Sequence, residues 1–149
     1  MTAYLETTVD KFIFRVATDR YYCSEGLWTK AEGNLVRIGL TDFWQQHNGD
    51  VAFAEIEPVG TTLTVDDVIS TIETIKVDIE LTSPVNGNIV EINPEMEDNP
   101  ELINQDPYGD GWLAVIEVAD WAAEQAKLLD SQAYFMLMKG QAEKEARER

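Results

Sequence analysis

The chain has 149 residues, enough for one domain that buries about 70% of its unfolded surface without disulfide staples. Its 11 Lys and Arg face 28 Asp and Glu for a net charge of -17, so it cannot neutralise a phosphate backbone and an anionic membrane would repel it. One cysteine and one histidine, Cys23 and His47, exclude an internal disulfide and a thiolate zinc site.

The first residues lack a basic start followed by an apolar core, so no secretory signal is expected. Within residues 1–20, Phe12, Phe14 and Val16 alternate and predict an edge strand. Trp28 to Leu40 reads as a strand pair around the turn Glu32-Gly33-Asn34. Thr41 to Gly49 predicts a short helix, with Asp42 as its cap, Gln45 in the capping-box position and Asn48-Gly49 as its stop. Val51, Phe53 and Ile56 begin another strand, broken at Pro58 and Gly60.

Val68 to Leu81 is rich in β-branched residues. Val77, Ile79 and Leu81 alternate with Asp78 and Glu80, whereas Ile69, Ile72 and Ile75 are out of step with one strand. A register break near residues 73–76 accommodates both halves as two strands meeting at a tight turn. No Gly or Asn marks that turn, so type I is the expected form, with Lys76 at its tip. Asn86-Gly87 marks a second hairpin. Pro94 to Gly111 reads as a long loop packed by its own side chains or serving function, and Trp112 to Val118 as a closing strand. Asp120 then caps a first terminal helix, and Asp130 or Ser131 a second with Ala133, Leu137 and Met138 on its apolar face. Gln141 to Arg149 lacks apolar anchors and is expected to fray. Together these elements predict a mainly β chain: an antiparallel β-sandwich or flattened barrel with a short internal helix and C-terminal helices.

Catalytic machinery is hard to find in this pattern. His47 would have to serve any Ser-His-Asp triad, and no Gly-x-Ser-x-Gly elbow accompanies it. No glycine-rich phosphate loop is present, and the acidic run Glu95-Met96-Glu97-Asp98 lacks calcium-loop spacing. Lys76 alone is a weak signal, because an exposed lysine is ordinarily a solvated charge. Its place at a hairpin tip is what a modifying enzyme requires, and Glu73 and Asp78 make the flanks recognisable by charge.

Glu73-Thr74-Ile75-Lys76-Val77 resembles the lipoylation motif of the glycine cleavage system H protein family, commonly Glu-Ser-Val-Lys-Ala. The stretch from Ser83 to Asn93 is similar to that family's following hairpin, and Asp98 to Leu113 to its long loop. Val36 to Asp42 and Gly49-Asp50-Val51 also resemble family signatures, so the likeness runs from about Tyr22 to Leu137. The chain departs from the pattern at Gly26-Leu27-Trp28, where the family has His-Glu-Trp. It also departs at Asp66, where a Gly is usual, and at Val77, where Ala is usual.

The resemblance implies a lipoyl-domain-like hybrid fold, with residues 1–20 as an N-terminal extension, 21–140 as the lipoyl carrier domain and 141–149 as a charged tail. It implies lipoate attached covalently to Lys76 by a lipoate ligase or lipoyl transferase, with Glu73 and Asp78 read by that enzyme. It places His47 and Glu80 where family members shelter the loaded arm. It implies a cytoplasmic, monomeric, non-catalytic carrier. Its arm would serve glycine decarboxylase, aminomethyltransferase and dihydrolipoyl dehydrogenase. Two other readings stay open: an H-like carrier for another pathway, such as cytoplasmic sulfur oxidation, and an unmodified β-domain acting as a binding module. Biotin carriage fits less well, because Ile75 and Val77 stand where biotin domains usually have Met.

Overall fold

A computed structural model of the chain describes residues 2–149. The chain opens on a hairpin, β1 (Tyr4–Val9) and β2 (Phe12–Ala17), which forms a two-stranded sheet of its own. The alternation that predicts β2 is real, and Phe14 and Val16 are buried. β1 escapes notice in the sequence because a threonine, Thr7, fills the inward position between Leu5 and Val9.

The body is two antiparallel sheets packed face to face. One has six strands in the order β3 (Tyr21–Tyr22), β4 (Leu27–Glu32), β5 (Leu35–Leu40), β11 (Ala114–Glu117), β10 (Gly87–Ile92) and β7 (Thr62–Leu63). The other has three, in the order β6 (Val51–Ile56), β8 (Val68–Thr74) and β9 (Asp78–Thr82). Val36, Ile38, Ile89 and Ile116 from the first meet Ile69, Ile72 and Leu81 from the second in one continuous core. Each such side chain contributes roughly 1.5–3 kcal/mol on burial. Gly39 on β5 faces Trp28 on β4, and the indole lies where a Cβ would stand. Only glycine leaves room for that ring.

The two strands meet at a tight turn just after Thr74, within the expected break at residues 73–76, and a second irregularity lies earlier. The β8–β9 pairing also shifts between Val68 and Ser70, which the sequence pattern does not locate. Strand β8 simply ends at Thr74, and Ile75 belongs to the turn, 72% exposed.

Helix α1 (Asp42–Asn48) is capped by Thr41, not Asp42: the Thr41 hydroxyl accepts the Trp44 N–H at 3.1 Å. Asp42 instead turns outward and accepts the backbone N–H of Arg15 at 3.0 Å, tying the N-terminal hairpin to α1. The long loop is packed by its own residues, with helix α2 (Leu102–Gln105) burying Ile103 and Pro107 O accepting from Trp28 Nε1 at 2.9 Å. Helix α3 (Trp121–Gln125) is capped by Asp120 as predicted. Helix α4 (Ser131–Glu148) is capped by Asp130 and buries Tyr134, Met138 and Ala142; of the predicted apolar face, Ala133 and Leu137 stay exposed.

The expected fraying of 141–149 is overturned, because α4 continues through Glu148. Three contacts from outside the helix hold that end. Ala142 packs into a second apolar cluster with Phe14, Val16 and Phe43. Glu145 pairs with His47. Arg149 pairs with Asp10 at 3.0 Å and lies over the Phe12 ring. Local composition cannot reveal partners that tertiary structure supplies. Among the described residues, no helix is long and apolar enough to cross a membrane.

Candidate functional site

Lys76 stands at the tip of the β8–β9 hairpin, exposed, with Ile75 and Val77 also exposed on either side. No left-handed residue is used in this turn. Thr74 closes it instead. Its hydroxyl accepts the backbone N–H groups of Lys76 at 3.2 Å and Val77 at 3.1 Å, and its own N–H donates to Val77 O at 2.8 Å. A side-chain oxygen thus takes the place a backbone carbonyl fills in an ordinary tight turn. The lysine backbone is fixed while its amine is left in solvent: among the described residues, Lys76 belongs to no ion pair.

Glu73 and Asp78 are direct cross-strand partners at the base of the tip, both exposed. Two carboxylates facing each other repel, so this pair costs stability rather than adding it. The turn also leans on the segment after α1. Ile75 N donates to Asp50 O at 3.0 Å, and a Cβ on Gly49 would come within 3.4 Å of Lys76 Cε. Gly49 has φ 87, a conformation that side chains disfavour, so the backbone here depends on glycine while the 3.4 Å approach itself is ordinary contact.

Beside the hairpin lies a cleft of about 480 Å³ between α1 and α4, lined in part by Glu25, Trp44, His47, Ile79, Tyr134 and Glu145. His47 stacks on Phe43 with ring centroids 5.7 Å apart, and Glu145 fixes its Nδ1 side. The structure therefore brings His47 to the cleft but not Glu80. Ile79 lines the cleft, and its strand neighbour Glu80 is exposed with Asp78. Leu27 points into the core, fully buried. Cys23 lines a different cavity, and burial pushes its thiol up to about 11.

Glu25 and Glu145 carry no motif, and sequence reasoning passes over both. Glu145 could be found only through its distant partner, His47.

The profile of the family described as glycine cleavage H-protein matches residues 20–141. The chain belongs to the glycine cleavage H-protein family. A glycine cleavage system H protein of Salinibacter ruber is 44% identical over 117 residues, covering 78% of this chain and 93% of that one. One from Brevibacillus brevis is 42% identical over 118 residues, covering 79% and 93%. The crystal structure of a glycine cleavage system H protein from Mycobacterium marinum superposes with a TM-score of 0.71 at 29% identity, covering 78% of this chain and 94% of that chain. The H-protein span includes the Lys76 hairpin, the long loop and most of the cleft. The β1–β2 hairpin, Glu145 and Arg149 lie outside it, so one wall of the cleft comes from residues beyond the shared span.

Proposed function

We propose that this chain is the lipoyl carrier of a glycine cleavage system, with lipoate joined through an amide to the Lys76 amine. The observation that carries the reading is an unpaired, exposed lysine on a locked hairpin tip in an H-protein chain. The residues around Lys76 suit the group: the amine is free to acylate, and its flanks, Ile75 and Val77, are exposed and apolar. Bound there, lipoate supplies a dithiolane that accepts an aminomethyl group and a pair of electrons.

The protein contributes position, recognition and shelter. Thr74 holds the lysine backbone in one geometry, which lowers the ordering cost when an enzyme docks. Glu73 and Asp78 present a paired negative mark to a lipoate ligase or lipoyl transferase. The -17 net charge steers the carrier toward basic faces on glycine decarboxylase, aminomethyltransferase and dihydrolipoyl dehydrogenase. The cleft beside the hairpin receives the loaded arm, and Glu25 offers a carboxylate to a cationic aminomethyl group, while Glu145 is held by His47 and Lys144 lies on the same lining. Tethering raises the arm's effective concentration at each docked enzyme.

One observation favours a second reading. Leu27 is buried where the family carries a carboxylate, which fits an H-like carrier loaded with a different group. Mixing the lipoylated protein with glycine decarboxylase, pyridoxal phosphate and glycine separates the two. Carbon dioxide release with an aminomethylated arm is the expected result. No loading, beside an H protein that loads under the same conditions, would transfer the chain to the second reading.

A further inference from the structure

We infer that Asn104, in the long loop, is a positioning residue for the acylation of Lys76, an inference that rests on the lipoyl reading of that lysine. Asn104 sits in α2, far along the chain from the hairpin, and its side-chain hydrogen bonds go to Val51, Gly49 and Gln45 rather than to the lysine turn. Its side chain brackets Asp50. Oδ1 accepts the N–H of Val51 at 2.9 Å, and Nδ2 donates to Gly49 O at 3.0 Å. The same Nδ2 donates to Gln45 Oε1 on α1 at 3.2 Å. All three bonds converge on the two residues flanking Asp50 and on the helix just before them.

That bracketed residue is the one the lysine turn uses. Asp50 O accepts the Ile75 N–H at 3.0 Å, one residue before Lys76. The next residue in the other direction, Gly49, lies beside the Lys76 side-chain stem, whose Cε would stand 3.4 Å from a Cβ placed there. Asp50 precedes β6, and the β6–β8 ladder has a register shift just after Val51, so regular pairing is weakest where the turn needs support. Asn104 supplies that support from the side. A single amide side chain suits the task, because it must accept from one backbone group and donate to another at once.

Loss of the bracket frees residues 49–51, weakens the Asp50–Ile75 bond and lets the lysine turn sample other geometries. The docking enzyme must then order the turn as it binds, so the defect appears in KM more than in kcat. Asn104→Ala removes the whole bracket. Asn104→Asp keeps the acceptor for Val51 N–H but loses both donors and faces Gly49 O with a carboxylate. Asn99→Ala, in the same loop, removes only a bond to Glu95 and serves as the control.

The test measures lipoylation kinetics of the full-length chain with lipoate, ATP and a lipoate ligase, together with amide hydrogen exchange at Ile75. Both Asn104 variants are expected to raise KM for the acceptor protein about tenfold, with kcat within about twofold of the unsubstituted chain. Exchange at Ile75 should accelerate by a larger factor than exchange at the core amides of Ile38 and Ile72. Asn99→Ala should match the unsubstituted chain in every measure. Unchanged KM and unchanged Ile75 exchange in both Asn104 variants would overturn the inference. Equal acceleration at Ile75 and in the core would also overturn it, since that is what a purely structural role predicts. Failure of the unsubstituted chain to take lipoate would instead sink the lipoyl reading and the recognition role that depends on it, a result readable without any Asn104 variant.

Discussion

Glu73 and Asp78 stand directly opposite each other on β8 and β9, two exposed carboxylates at the foot of the hairpin that carries Lys76. The arrangement opposes folding and has no cation beside it among the ion pairs of the described residues. A partner that reads the pair accounts for it. Glu73→Gln should therefore raise unfolding free energy by about 0.5 kcal/mol in urea titrations while slowing lipoylation by a ligase. A variant that loses stability, or is lipoylated at the original rate, would remove Glu73 from recognition.

Leu27 invites a misleading repair. Leu27→Glu would copy the family's carboxylate, but this side chain packs with Leu40, Trp44 and Val85 in the core. A carboxylate there must leave water without a partner, so the variant should lose about 3 kcal/mol of stability by chemical denaturation. A cost under about 1 kcal/mol would mean that the position opens to the cleft after all.

Cys23 bears on the arm's chemistry, because a free reactive thiolate would exchange with a lipoyl disulfide. Burial pushes the Cys23 thiol up to about 11, against backbone hydrogen bonds at Leu27 and Glu25 that pull it down. A thiol raised this far carries an about hundredfold smaller thiolate fraction at pH 8 than an ordinary cysteine. Iodoacetamide should accordingly label the native protein at pH 8 about a hundredfold more slowly than the urea-unfolded chain. Equal rates would show an accessible thiol that competes with the arm.

The outline of the site was readable because strand alternation after Lys76 survives in the fold: Ile79 and Leu81 face inward while Asp78 and Glu80 stay exposed. The same rule does not foresee the shift at Val68–Ser70, an irregularity that no glycine announces and that leaves Ile69 and Ile72 both buried. Asp42 is the stronger cap by residue type, yet Thr41 takes the Trp44 N–H while Asp42 is held by Arg15, Gln45 and Gln46. Glu145 and Arg149 looked like solvated charges because their partners, His47 and Asp10, are remote in sequence. Asn104 was visible as part of a family-like loop, but its hold on residues 49–51 is a tertiary fact.

Asp66 explains a departure from the family pattern. It has φ 79, so the glycine usual at this position relieves a strained conformation. Asp66→Gly should raise the unfolding free energy by about 0.5 kcal/mol, the strain relieved minus the added freedom of the unfolded chain. A loss of stability would mean that Asp66 makes a contact worth more than the strain.

The most direct test of the lipoyl assignment is the intact mass of the purified chain after incubation with lipoate, ATP and a lipoate ligase. The unsubstituted protein should gain the mass of one lipoyl group, and Lys76→Arg, folded to the same circular dichroism spectrum and urea midpoint, should gain none. Equal lipoylation of Lys76→Arg, or no gain by the unsubstituted protein beside an H protein that is modified in the same tube, would contradict the assignment.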